Sequence, residues 1–233
     1  MTPPLVIIRP QPGAWSTARL FGDAGFDVHA HPLFTVEPVV DGALPSPSLY
    51  DALLIGSANA LRHLPDIARF NRLPCYAVGE KSAALARSLG FAVAATGTGG
   101  LAQLLPDLVR DERRAVLRLA GEDHVALEPP SEMRIDTHIV YRSVALPLPP
   151  GLAGLLRRDC IILLHSSRAA QHLADECDRL EIDRARHRIL AFAAPVAEAA
   201  GSGWQSVQCA ENPDDQALLA LARQLCQKAA DGP

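Results

Sequence analysis

The chain of 233 residues reads as an α/β protein built from two similar parallel-sheet lobes joined by a two-stranded β linker. Three observations lead there. Short apolar runs alternate with helical patterns along the whole chain, a polar strand-to-helix turn occurs twice in matching form, and the order helix, glycine, aromatic, strand occurs three times.

The run Leu5-Val6-Ile7-Ile8 is a buried strand, and Arg9-Pro10-Gln11-Pro12-Gly13 stops it with residues that cannot continue one. Residues Ala14 to Ala24 space Trp15, Ala18, Leu20 and Phe21 near a helical period, Gly25 follows as a C-cap, and Phe26 to Ala30 alternates as a second strand. This is a β-α-β unit. Trp15 and Trp204 are read as core or helix-packing residues. Asp51 to Ile55 is the next strand, Ser57-Ala58-Asn59 a polar turn, and Ala60 to Phe70 a helix. A strand at Cys75 to Gly79, a helix at Glu80 to Leu89 closed by Gly90, a strand at Phe91 to Ala94, a helix at Leu101 to Val109 and a strand at Ala115 to Leu119 complete the first series.

The second series opens with Cys160 to Leu164, turns at His165-Ser166-Ser167-Arg168 and continues as a helix through Cys177. Ile189 to Phe192, Pro195 to Ala200, Gly203 to Val207 and Gln216 to Lys228 follow. Ser57 to Leu64 and Ser166 to Leu173 share a serine, an alanine and a terminal His-Leu, which marks an internal duplication of a flavodoxin-like or Rossmann-like lobe. The opening β-α-β, at about thirty residues, is too small to bury its own core. It therefore joins the C-terminal series: residues 1–33 with 145–233 form one discontinuous lobe and 41–134 the other. Extended segments 34–40 and 135–144 form the linker, and a ligand cleft is expected where the carboxyl ends of the two sheets face each other.

Composition narrows the function. Lys and Arg number 22 against 26 Asp and Glu, a net charge of −4, so no broad basic surface exists for nucleic acid or an anionic membrane. The five cysteines are widely spaced with no Cys-x-x-Cys, indicating neither a disulfide framework nor a zinc site and fitting a reducing cytoplasm. No signal-like N-terminus and no membrane-length apolar run is present.

Two readings of the serine turns stand side by side: helix N-caps, or anion sites made of free backbone N–H groups and a hydroxyl. Thr96-Gly97-Thr98-Gly99-Gly100 lacks both Walker and Gly-x-Gly-x-x-Gly spacing, and Gly79-Glu80-Lys81-Ser82 lacks the upstream glycine of a P-loop. His29 and His31 share one strand face without further ligands, His63 and His172 sit on equivalent helices, and no Gly-x-Ser-x-Gly elbow occurs. Tyr141, beside Arg142 in the return connector, is either a packing aromatic or a phenol able to give a proton to a leaving hydroxyl.

Taken together, Val6 to Pro10, Asp51 to Ala60, Tyr76 to Gly79, Gly90-Phe91, Val140-Tyr141-Arg142 and Gly203-Trp204 through Ala210-Glu211-Asn212-Pro213 resemble the uroporphyrinogen-III synthase family over essentially the whole chain. The resemblance implies a cofactor-free, metal-free cytoplasmic monomer. It implies that hydroxymethylbilane, a linear tetrapyrrole with eight carboxylates handed over by the preceding synthase, is cyclised to uroporphyrinogen III with loss of water and inversion of ring D. It also implies Tyr141 as the residue assisting hydroxyl departure. Substrate contacts would come from Arg9, Ser57, Ala58, Asn59, Arg62, Ser82, Arg142, Ser166, Ser167 and Arg168. The chain departs from the family at Phe192-Ala193-Ala194-Pro195-Val196, where an Ile-Gly-Pro and a threonine turn are usual, and at Ala126 to Pro130, where a helix normally follows. The alternative from another class is a non-catalytic two-lobed small-molecule binding or sensor protein, though no signal peptide or DNA-binding segment accompanies these lobes. A two-lobed glycosyltransferase would need more length and a nucleotide-sugar site.

Overall fold

The computed structural model describes residues 2–39 and 44–230. The expected end of the first linker strand at residue 40 and start of the second lobe at residue 41 lie outside the described residues. The chain runs β1 (Leu5–Ile7), α1 (Gly13–Asp23), β2 (Val28–Ala30), β3 (Phe34–Pro38), β4 (Ala52–Ile55), α2 (Ala58–His63), β5 (Cys75–Val78), α3 (Glu80–Ser88), β6 (Val93–Gly97), α4 (Leu105–Arg110), β7 (Ala115–Gly121), β8 (Arg134–Ala145), α5 (Pro150–Leu155), β9 (Cys160–Leu164), α6 (Ser167–Arg179), β10 (His187–Ala191), α7 (Ala194–Ala200), β11 (Ser206–Cys209) and α8 (Asp215–Ala230). It divides into two compact units, Met1–Thr35 with Ala145–Pro233, and Val36–Val144.

The first unit holds a five-stranded sheet in the order β11-β10-β9-β1-β2, its neighbours paired in parallel. The central strands β1 and β9 are apolar on both faces because both are covered. Leu5, Ile7, Ile161, Leu163 and Leu190 pack with Phe21 of α1 and Leu218 of α8, whereas Val6, Ile162, Leu164 and Ile189 pack with Leu152 of α5 and Leu173 of α6. The second unit repeats the plan in a six-stranded sheet, β3-β8-β7-β4-β5-β6, with β8, β7, β4, β5 and β6 parallel. Leu53, Ile55, Cys75 and Leu117 face Ala60 of α2 and Ala83 of α3; Ala52, Leu54, Tyr76 and Val116 face Leu104 and Leu108. The extended segments on either side of this unit are thus the first two strands of its sheet.

Two of the repeated glycine-aromatic pairs end helices in the same way. Gly25 and Gly90 both have φ +87, the left-handed region, and Phe26 and Phe91 donate their N–H groups back to Phe21 O at 3.1 Å and Ala86 O at 3.0 Å. After α7 the pattern changes: Gly201 closes the helix, and Trp204 donates its indole N–H to Ala200 O at 2.8 Å.

Several elements differ from the sequence expectation. The helix from residue 60 to 70 is broken: α2 stops at His63, Leu64 is extended ahead of Pro65, and a short 3-10 turn covers Ile67–Phe70. Proline disfavours helical backbone at the preceding residue and lacks the N–H that would continue the ladder. Helix α5 is an addition: Pro149 and Pro150 suggest a broken segment, yet Pro150 stands at the first helical position, where its missing donor costs nothing. Trp15 is a correction. The inward stripe of α1 is Ala14, Thr17 and Phe21, so Trp15 falls one position off it and is 69% exposed. Trp204 is buried as expected.

Glu176 ties the re-entering chain to the first unit. It is buried on α6, accepts the Leu148 N–H at 2.6 Å and holds Arg179 through two bonds of 2.7 Å. The Arg179 hydrogen bonds foremost, with the Leu148 N–H, outweigh burial and hold its carboxyl at about 2. Glu176→Ala would leave a buried amide donor unpaired, so chemical denaturation should show a loss of about 1–3 kcal/mol, with Glu176→Gln losing less because its amide oxygen can still accept from Leu148.

Candidate functional site

A cavity of about 470 Å³ lies in the second unit at the carboxyl ends of β4, β5, β6 and β7, within the usual size range of small-molecule sites. Parallel strands deliver their ends together, and the apolar run of each gives way there to polar or small residues. Gly56 and Ser57 enter as β4 ends, Val78 as β5 ends, Gly99 and Gly100 after β6, and Arg118 to Gly121 from the end of β7. Tyr141 reaches it from β8.

A register shift aims Tyr141. Ala120 faces Ile139, but Gly121 faces Tyr141, so Val140 is the extra residue of a bulge. The phenol ring occupies the space a side chain at 121 would take: a Cβ there would lie 2.6 Å from Tyr141 Cζ and 2.9 Å from its hydroxyl oxygen. The ring of His63 stands 6.3 Å away, tilted by 37°. Burial, then the charge of Arg62, hold His63 below its ordinary pKa, so a neutral imidazole neighbours the phenol at pH 7. Ser57 and Ser166 both act as N-caps, accepting from Asn59 N at 3.2 Å and Ala169 N at 3.3 Å.

The first unit gathers a second polar group at the ends of β1 and β9. Arg9 lies over Gly13 and bonds Thr17 Oγ1 and Asp215 at 3.3 Å, while His165 Nε2 meets Asp215 Oδ1 at 3.0 Å. Burial opposes the Asp215 carboxylate, but His165 and Arg9 outweigh it and keep its pKa below the usual range. Burial dominates for His165, whose pKa is lowered. Among the described residues no group of three His, Cys, Asp or Glu could hold a metal ion, and no helix is long and apolar enough to cross a membrane.

The profile of the family described as "Uroporphyrinogen-III synthase HemD" matches residues 16–220. The chain belongs to the uroporphyrinogen-III synthase family. It is thereby an enzyme of tetrapyrrole and heme biosynthesis acting on a small molecule. Its fold is that of solved uroporphyrinogen-III synthases. The enzyme from Helicobacter pylori is 17% identical with a TM-score of 0.66, over 96% of this chain and 99% of that one. A substituted form of the Thermus thermophilus enzyme is 18% identical with a TM-score of 0.51, over 96% and 99%. No curated protein matches the chain by sequence.

Of the residues singled out from sequence by their likeness to this family, the cavity brings together Tyr141 and Ser57. Ala58, Asn59 and Arg62 follow on α2, where Arg62 donates to Asn59 at 3.1 Å. Ser82 is buried in the first turn of α3 and does not line the cavity. Arg142 pairs with Glu37 at 3.2 Å on the surface. Arg9, Ser166, Ser167 and Arg168 belong to the first unit: Arg9 is engaged by Asp215, Ser167 donates to Pro195 O at 3.0 Å, and Arg168 lies 5.1 Å above the Phe34 ring. Ala193 precedes α7 without a side-chain cap, as a chain lacking the usual threonine must.

Sequence reasoning missed Arg118, His165, Thr17 and Asp215. The signal for Arg118 was present: a cation in the middle of the strand Ala115 to Leu119, otherwise apolar and buried on both faces.

His31, His63, His165 and His187 are all held below their ordinary value of 6.5, burial being the first cause for each. The unfolded chain therefore binds protons more readily than the folded one as pH falls. Stability from these groups is complete above pH 6.5 and lost as pH drops through their folded values, so the urea midpoint should be lower at acid pH than at neutral pH. His165→Gln should flatten that dependence.

Proposed function

We propose that the protein is a lyase that cyclises hydroxymethylbilane to uroporphyrinogen III with loss of water and inversion of ring D. The observation that carries this reading is Tyr141, held by the bulge and the missing side chain of Gly121 in a cavity at the sheet's carboxyl ends, within a chain of this family.

In this reading Tyr141 donates its phenolic proton to the departing hydroxyl of the ring-A hydroxymethyl group, and water leaves. The C–O bond breaks with its electron pair leaving on the water, the pyrrole nitrogen lone pair stabilises the resulting azafulvene cation, and the substituted carbon of ring D attacks it. The bond from that carbon to the methylene of ring C then breaks, the free α-carbon of ring D closes on that methylene so that ring D is inverted, and the proton lost on aromatisation returns to the Tyr141 phenolate. Because the unassisted reaction closes without inversion, the enzyme's work is orientation of a flexible chain, by many contacts in a preformed pocket. Ser57 and the backbone of Gly99 and Gly100 would face the substrate, and Arg9, Arg62, Arg142, Ser82, Ser166, Ser167 and Arg168 are further substrate contacts to be assigned. The enzyme works without a cofactor, as a cytoplasmic monomer supplied by the preceding synthase.

Supplied with freshly made hydroxymethylbilane, the protein should turn the product from uroporphyrinogen I to the III isomer on chromatography; isomer I alone from folded protein would reject the reading. Tyr141→Phe should lower kcat roughly a hundredfold, the scale of general acid assistance, with an unchanged urea midpoint. Unaltered turnover would remove Tyr141 from the mechanism.

A further inference from the structure

Arg118 is a buried charge of the cavity for which the described residues supply no counter-ion. Only 4% of the residue is exposed, and it lines the cavity from β7, on the sheet face of Val116, Leu54 and Leu104. Its guanidinium donates to Val125 O at 2.8 Å, while its enclosed Nε–H has no acceptor. No carboxylate pairs with Arg118 among the described residues: burial is the one influence on its pKa, which it lowers, and a guanidinium still remains charged at neutral pH. A buried cation without a counter-ion carries a large desolvation cost that a bound anion would offset. Of the side chains that line the cavity with it, Leu101, Leu119, Leu127 and Val78 are apolar, Ser57 is engaged as a cap, and the carboxylate of Asp123 makes no ion pair with it.

We infer that Arg118 is a carboxylate-binding residue, whose Nε–H and terminal N–H groups receive one carboxylate arm of a pyrrole ring lying on the apolar wall of this cavity. The planar fork of donors suits a carboxylate, and the apolar lining suits a flat ring. This rests on the reading of the protein as a tetrapyrrole cyclase and names a contact that fixes the position of one ring.

The test titrates the ¹⁵N-labelled full chain with a pyrrole bearing two carboxylate arms, and in parallel with its dimethyl ester and with inorganic phosphate. The diacid should move the Arg118 Nε–H resonance saturably and raise Tm, and the ester should do neither. Phosphate acting as strongly as the diacid would mean a general anion site and overturn the carboxylate assignment. So would a diacid that leaves the Nε–H signal still. Arg118→Met keeps the apolar stem and removes the buried charge: its Tm in plain buffer should exceed that of the wild type and no longer respond to the diacid. Its KM for hydroxymethylbilane should rise about tenfold or more, with kcat changed far less, as expected for a lost ionic contact. Should Arg118→Met fail to fold, the wild-type Nε–H titration still decides. Isomer analysis of the wild type separates the two ideas: isomer III without a moving Nε–H signal sinks this inference alone, and a moving signal with only isomer I sinks the cyclase reading alone.

Discussion

The central strands of both sheets are parallel and covered on both faces, and that constraint governs everything else. A parallel strand buried on both sides must be apolar at every position, because each polar group placed there loses water and must find a partner. Strands such as Cys160–Leu164 and Ala52–Ile55 obey it at every residue. Polar chemistry is thereby displaced to the strand ends, where the parallel arrangement delivers all carboxyl ends to the same edge. The cavity beside Ser57, Gly121 and Tyr141, and the cluster of Arg9, His165 and Asp215, are two consequences of one packing rule.

Among the described residues, the buried and half-buried charges Glu176 and Asp215 are completed by the fold, whereas Arg118 is not. Glu176 is answered by Arg179 and the Leu148 amide; Asp215 is answered by Arg9, Thr17 and His165. These are closed networks, and they fasten segments far apart in sequence. Arg118 has only a carbonyl. A chain with net charge −4 can therefore still offer a strongly cationic point to an acidic ligand, because the charge is held where water does not screen it.

Local signals carried much of the fold. The glycine-phenylalanine pairs at 25 and 90 were legible because a left-handed residue followed by a back-bonded aromatic is a local device. The serine turns were legible for the same reason, and in the folded chain their hydroxyls cap. Trp15 misleads because one residue of phase separates the buried stripe of α1 from its outer face, and nothing in the eleven-residue helix announces which side meets the sheet. The helix read from 60 to 70 ran through Pro65, although that proline carried the signal of a break, and the helix begun by Pro150 was hidden by the same residue type, since proline ends one helix and starts another according to position alone.

By itself the sequence determined the alternation of strands and helices, the family resemblance and Tyr141 as a residue of interest. These depend on period, turn chemistry and order along the chain. Only the tertiary structure decided that Tyr141 lies over Gly121, that Arg9 is engaged by Asp215 from 206 residues away, and that Arg118 is buried without a counter-ion. Such facts rest on which distant atoms share a space, and for Tyr141 a bulge of one residue in β8 sets which atoms those are.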